Sequence, residues 1–118
     1  TDFSIELMVD PGLQGLRLEP ETELHLVRIV QEAISNVRKH ASANAAQVCM
    51  AQAGEMIELT IHDDGVGFNP WMWHADPYNR FGLQTMRERA DMIGAVFSIV
   101  SEPGHGTTVR VQLKIKEA

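Results

Sequence analysis

The chain has a single cysteine, Cys49, among 118 residues. That rules out an internal disulfide and fits a reducing compartment. Cys49 sits within an apolar alternation that predicts a strand, where a buried, inert thiol is expected. No apolar run approaches the length of a membrane span, and there is no secretory signal. Direct membrane contact by this segment is therefore not expected, and a cytoplasmic placement is, whether or not a longer parent is anchored. Basic charge is also scarce. The formal net charge is −6, which argues against non-specific nucleic-acid binding through a basic surface. The phosphate loop that ends in Gly-Lys-Ser/Thr is missing, as is the dinucleotide fingerprint, and there are no repeats or low-complexity tracts.

What is present is the profile of a soluble globular domain, 44% hydrophobic and 22% charged. The length suffices for one core and is too short for two ordinary domains, so residues 1–118 read as one domain. The chain opens at Thr1, inside an apparent strand and without an initiator Met, and is read as a piece of a longer protein. An acidic domain can bind a polyanion only through local donors and a divalent cation.

Alternation from Phe3 to Val9 predicts an opening strand, ended by Asp10-Pro11-Gly12. Pro20, with Glu21 and Glu23 behind it, predicts a helix start, and the helix runs to about Ala41. A hairpin is expected near Ala46–Gln52 and Met56–His62, turning at Gly54-Glu55. The stretch from Phe68 to Phe81 has no consistent period and reads as a loop. Gly82 opens a second helix, apolar at Leu83, Met86, Ala90 and Ile93, with Gly94 as its cap. Val96–Val100 and Thr107–Ile115 close the chain as strands around Glu102-Pro103-Gly104. Strands that mostly pair with sequence neighbours imply α+β: a two-layer sandwich with a mixed, mostly antiparallel sheet and helices on one face. A doubly wound parallel sheet is disfavoured.

The first helix carries the densest chemistry. Helical periodicity predicts one apolar face from Val27, Val30, Ile34, Val37 and Ala41. Glu32 and Asn36 are four apart and Lys39 extends their row by three. A carboxylate, a carboxamide and an ammonium would then share a flank in an order that suits a metal–triphosphate. Alone, the same row reads equally as a solvated face with a cationic last turn at Arg38, Lys39 and His40.

The glycine segments tilt that balance. Asp63-x-Gly65-x-Gly67 follows a strand, but a long loop comes next instead of a returning strand, and such loops are usually functional or disordered. A carboxylate at a strand end can accept hydrogen bonds from an exocyclic amine, with glycines letting the backbone approach a flat ring. Gly82 at a helix N-terminus marks a natural anion site. Gly104-His105-Gly106-Thr107-Thr108 is a hairpin turn or a second approach to a ligand.

In order and spacing these segments resemble the four motif boxes of the GHKL (Bergerat) ATP-binding fold, shared by gyrase B, Hsp90, MutL and sensor histidine kinases. The wording Gln31-Glu32-Ala33 with Asn36 and Lys39-His40-Ala41, then Asp63-Asp64-Gly65-x-Gly67-Phe68, then Phe81-Gly82-Leu83-x-x-Met86-Arg87-Glu88-Arg89-Ala90 is similar to the nitrate-sensor subfamily of two-component kinases. The resemblance implies the catalytic domain of a histidine kinase that binds ATP and Mg²⁺ and passes the γ-phosphoryl to a histidine of a dimerisation domain, for relay to a response regulator. It implies Asn36 on the metal and Glu32 at the γ-phosphate as catalytic residues. It also implies Lys39 and His40 on phosphate oxygens, Asp63 on the adenine amine with Gly65 and Gly67 shaping its pocket, Gly82 and Leu83 meeting the phosphates on lid closure, and Thr107 beside Asp63. Arg80 is the lid cation expected at phosphate. The lid aromatics Trp71, Trp73 and Tyr78 either cover a ligand or partner or anchor the loop.

No segment of the chain supplies the phosphoacceptor hairpin. Glu23-Leu24-His25-Leu26 echoes an acceptor motif but has Leu26 where an acidic residue belongs, so His25 is expected on the helix surface. His62, His74 and His105 receive no role. Two alternatives stay open: a serine kinase of the anti-sigma type or an ATPase on the same fold, and a non-catalytic nucleotide-sensing module.

Overall fold

In the computed structural model, which describes residues 3–40, 43–67 and 81–115, five strands form one sheet. They are β1 (Ser4–Val9), β2 (Ala45–Ala53), β3 (Met56–Asp63), β4 (Val96–Ser101) and β5 (Thr107–Lys114), in the order β1-β2-β3-β5-β4. Helix α1 (Pro20–His40) and helix α2 (Leu83–Met92) lie on one face of it. The order of elements matches the sequence reading, and most boundaries fall within a residue of it. The sheet is mixed and mostly antiparallel, as expected. β1 runs parallel to β2, in register Ser4↔Ala45 to Val9↔Met50, so α1 is a crossover; the other three pairings are antiparallel.

Local chemistry explains the punctuation. Asp10 ends β1, and its carboxylate accepts from the Gln52 N–H at 2.9 Å, which ties the first turn to β2. The Pro11–Leu13 segment is a single 3-10 turn that sinks Leu13 into the core. Pro20 takes the first helical position, with Glu21 and Glu23 at the positive end of the dipole. Gly94, at φ +68, stands one residue beyond the helix cap at Ile93. A Cβ there would meet nothing within 4 Å, so Gly94→Ala should lose only the left-handed backbone preference, about 1 kcal/mol in urea denaturation, with ligand binding unchanged.

Alternate residues of the central strands make the core floor: Val48 from β2, Ile57, Leu59 and Ile61 from β3, and Val109, Val111 and Leu113 from β5. Leu26, Ile29 and Ala33 of α1 and Met86 and Ala90 of α2 close over it. The buried line of α1 is therefore Leu26, Ile29, Ala33 and Val37, one residue round from the expected stripe. Val30 and Ile34 are half-buried, Val27 is 52% exposed, and Ala41 lies outside the described residues. The cause is α2, which packs against one flank of α1 and moves the centre of burial toward itself.

The same contact corrects the reading of His25. It is buried, not a surface histidine, and Arg89 of α2 donates to its Nδ1 at 3.3 Å. Glu21 lies 3.8 Å from its Nε2, one turn back along α1.

Candidate functional site

Two strand ends and two helices meet at one end of the sheet. Asp63 is the last residue of β3 and Thr107 the first of β5, and they are register partners. A pocket opens above them. Ala33, Asn36 and Val37 form its α1 wall, Ile61, Ile99 and Val109 its floor, and Phe81 and Leu83 the opposite side, leaving Asp63 and Thr107 as its polar end.

Asp63 is only 4% exposed. Its Oδ1 accepts from the Gly65 N–H at 2.8 Å, and the Thr107 main-chain N–H also bonds to the carboxylate. Burial pushes its pKa above the ordinary carboxylate value, outweighing the two N–H donors and nearby His62, which act the other way. An acceptor at the closed end of an apolar slot suits a flat molecule with an N–H donor on its edge.

The neighbouring Asp64 has a different task. Its Oδ1 accepts from the N–H groups of Asn44 and Ala45, each at 3.1 Å, and so pins the start of β2 beside the end of β3. Gly67, at φ +66, packs its backbone onto the Glu102 carbonyl, and Gly106, at φ +76, packs onto the Asp63 carbonyl. A Cβ at either would collide with main chain. The close approach that these glycines permit is thus of loop to loop, which holds Asp63 and Thr107 together.

At the other end of the pocket, α1 meets the entry to α2. The Asn36 side-chain amide donates to the Phe81 carbonyl. A carbonyl only accepts, so the Asn36 Nδ2 faces Phe81 and its Oδ1 is turned away. Gly82 caps α2 in the left-handed conformation, φ +64, with the Glu32 carboxylate against it; a Cβ at Gly82 would overlap that side chain. Glu32 also lines a polar cleft with Arg28, Gln31, Thr85 and Arg89.

Asn36, Asp63, Leu83 and Thr107 therefore line one pocket, Gly65 adjoins it through its bond to Asp63, and Glu32 stands in the neighbouring cleft with its carboxylate against Gly82. Lys39 does not line the pocket. It is exposed on a separate depression with Ser35, Arg38 and Ile34, because three residues beyond Asn36 is about 60° short of a full turn. The His40 side chain and Arg80 lie outside the described residues, as do Trp71, Trp73 and Tyr78. Among the described residues no group of three or more His, Cys, Asp or Glu side chains could hold a metal by itself.

Sequence reasoning missed Ser101. This last residue of β4 is 3% exposed, with its hydroxyl 2.7 Å from the Thr107 Oγ1 and donating to the Gly106 carbonyl at 3.3 Å. Extending the strand alternation Phe97, Ile99 by one step would have found it.

Residues 21–117 match the family described as "Histidine kinase-, DNA gyrase B-, and HSP90-like ATPase". The chain is 37% identical over 107 residues to the sensor histidine kinase LiaS of Bacillus subtilis, covering 91% of this chain and 29% of LiaS. It is also 37% identical over 113 residues to the sensor protein VraS of Staphylococcus aureus, covering 96% of this chain and 32% of VraS. The chain thus spans less than a third of the length of these curated relatives. Among solved structures, the histidine kinase domain of a blue-light activated kinase from Erythrobacter litoralis superposes with a TM-score of 0.77 at 21% identity, covering 94% of this chain and 54% of that one. Full-length ShkA, in complex with AMPPNP, gives 0.78 at 17% identity, covering 98% and 27%. At those identities the likeness is one of fold.

Proposed function

The chain belongs to the histidine kinase-, DNA gyrase B- and HSP90-like ATPase family, and we propose that it is the ATP-binding catalytic domain of a bacterial sensor histidine kinase. In the parent protein it transfers the ATP γ-phosphoryl to a histidine of a dimerisation domain, and a response regulator then receives the phosphoryl group. The 37% identity to LiaS and VraS favours a parent of their kind over the nitrate-sensor type that the local wording suggests.

The observation that carries this reading is the buried Asp63 carboxylate at the closed end of an apolar pocket, whose opposite rim holds Asn36 and the Phe81–Gly82 entry to α2. Adenine fits that slot with its amine toward Asp63, Gly65 orienting the carboxylate and Thr107 beside it. Gly67 keeps the two loops of the adenine end together. The triphosphate then runs along α1 toward Asn36 and Glu32, where Gly82 and Leu83 bring the N–H groups of α2 to the phosphates.

Asn36 would hold Mg²⁺ through its Oδ1, a hard oxygen donor turned away from Phe81. When bound, Mg²⁺ neutralises phosphate charge. Glu32, at the far end of the row, positions the phosphoryl acceptor. Lys39 reaches outer phosphate oxygens on its flexible stem, and His40 and Arg80 are assigned to phosphate as well. Phosphoryl transfer asks for positioning and charge neutralisation, and these groups provide both. The acceptor histidine belongs to the dimerisation domain, so the chain alone binds nucleotide with little turnover.

Calorimetric titration with ATP tests this directly. The expected result is saturable one-to-one binding that strengthens when Mg²⁺ is added. A titration without saturable heat under either condition overturns the assignment.

A further inference from the structure

His25 is a buried titratable side chain with no part in the proposed chemistry. Its partners fix its protonation. Arg89 of α2 reaches Nδ1 at 3.3 Å, and a guanidinium carries only N–H donors, so Nδ1 is the bare, accepting nitrogen. The ring is therefore neutral in this arrangement, with its proton on Nε2, the nitrogen that faces Glu21 at 3.8 Å. Glu21 from α1 and Arg89 from α2 are the charged groups at the ring among the described residues, and the core beneath both helices is apolar.

The same two helices meet a second time through polar atoms. The Glu32 carboxylate lies against Gly82, the cap of α2. His25 to Glu32 is two turns along α1, and Arg89 back to Gly82 is two turns along α2. The helices therefore run antiparallel with a polar contact at each end of their seam, roughly 10 Å apart. Between those contacts runs the polar cleft that Arg28, Glu32 and Arg89 share. Arg28 is held on α1 by its own bond to the Gln31 Oε1 at 3.2 Å. Arg89 belongs to both ends, since it bonds to His25 and borders the cleft that contains Glu32.

Resting on the assignment of Glu32 and Gly82 to the phosphate end, we propose that His25 is a positioning residue that acts as a proton-operated latch on α2. The neutral ring keeps Arg89 at the far end of the seam and leaves the Glu32 carboxylate against Gly82. When the ring takes up a proton, Nδ1 becomes a donor on a cation and can no longer accept from Arg89. The four groups then re-pair. His25 turns its charge to Glu21, and Arg89 swings along the cleft to Glu32, drawing the carboxylate off the Gly82 cap. Glu21 is 71% exposed and holds its partner weakly through water, so the drive is the repulsion of two cations across a half-buried contact. Histidine is the side chain whose charge changes most readily near neutral pH, which suits it to this part.

The first measurement needs no nucleotide. In nuclear magnetic resonance of the isotope-labelled chain, the His25 ring nitrogens should show the Nε2–H tautomer at about pH 8. The Glu32 carboxyl signal should move in step with protonation of His25 as pH falls. In His25→Gln, whose side-chain oxygen accepts from Arg89 at any pH, the Glu32 signal should lack that step. An Nδ1–H tautomer, or a Glu32 signal indifferent to His25, overturns the proposal.

The second measurement is calorimetric titration with ATP at about pH 8 and about pH 6. Protonation of ATP and of Asp63 is common to every variant, so the variants are compared over the same interval. Wild type should lose roughly 3- to 10-fold more affinity across it than His25→Gln. His25→Leu, with no acceptor for Arg89, should bind weakly at both values. Adding Arg89→Leu should restore binding, since no cation is left to draw Glu32 away. A histidine that only fills space would give a lower melting temperature in His25→Gln with the pH dependence of wild type. That result, or a double variant as weak as His25→Leu, overturns the latch. Should His25→Gln not fold, Arg89→Leu carries the same comparison, because it too lacks the transferable cation. Absence of ATP binding in wild type removes the nucleotide site, and the first measurement then decides the latch.

Discussion

Asp63→Asn should lose ATP binding by about 10- to 150-fold, the worth of a hydrogen bond to a buried charged acceptor at roughly 1.5–3 kcal/mol. It should do so without loss of stability at neutral pH. The variant keeps the shape and one carbonyl oxygen for the Gly65 and Thr107 N–H groups, but turns a second acceptor into a donor facing the purine amine. The stability side follows from burial. The folded pKa of Asp63 lies above its ordinary value of 3.8, with burial the largest cause. A raised carboxylate pKa means that the folded state holds the proton more tightly than the unfolded chain. The stabilisation this gives is fully present below pH 3.8 and disappears as pH rises through the folded pKa. At neutral pH the ionised carboxylate is a net cost to the free protein, which Asn removes.

The stability difference between wild type and Asp63→Asn should therefore favour wild type most at acidic pH and shift toward the variant as pH rises past the Asp63 transition. Urea denaturation of both proteins across that range measures it, alongside ATP titration at neutral pH. Retention of ATP affinity within a few-fold would remove Asp63 from the site. A stability difference that moves the opposite way would mean that the hydrogen bonds from Gly65 and Thr107, and not burial, govern the carboxylate. If Asp63 binds the nucleotide as proposed, a binding group is kept at some expense to the empty fold, a common trade at functional sites.

Much of this site was legible in the sequence because its signals are local. Asp63-x-Gly65-x-Gly67 stands at a strand end, and the Glu32–Asn36 spacing fixes a helix flank whatever packs against it. What was not legible depends on contacts between distant segments. The burial of His25 and the exposure of Val27 are set by α2, some 60 residues further on. Apolar residues ring more than half of α1, so periodicity alone could not locate the centre of its buried arc. A mixed sheet was expected, but which strands make its parallel pair depends on how the crossover closes, which hairpin signals do not encode. The glycines expected to approach a ligand pack in part against the protein itself. Gly67 and Gly106 give loop-to-loop contact, and only the fold shows which surfaces come together. Lys39 illustrates the limit of reading a row along a helix, since each added residue rotates the row away from the cleft.

Asn36→Ala should remove most of the Mg²⁺-dependent gain in ATP affinity and, in the full-length parent kinase, slow phosphoryl transfer by roughly 10²-fold, the scale of a misplaced reacting group. The argument rests on the two ends of one carboxamide. Its Nδ2 donates to the Phe81 carbonyl at the foot of α2, which fixes the side chain and turns the Oδ1 away from Phe81 as a hard donor. On the proposed assignment, one residue would couple the metal position to the entry of α2 at Gly82. Alanine loses both contacts. Asn36→Asp separates them: it keeps an oxygen for the cation but sets a carboxylate oxygen against the Phe81 carbonyl, where no proton is available. The aspartate variant should then retain Mg²⁺ dependence while transferring more slowly than wild type, and the alanine variant should keep only a small part of the Mg²⁺-dependent gain. Titrations of both variants with ATP, in Mg²⁺ and in chelator, read the first effect; the rate of phosphohistidine formation in the parent reads the second. An alanine variant whose affinity still rises with Mg²⁺ as in wild type would move the metal ligand elsewhere and leave Asn36 only its bond to the Phe81 carbonyl.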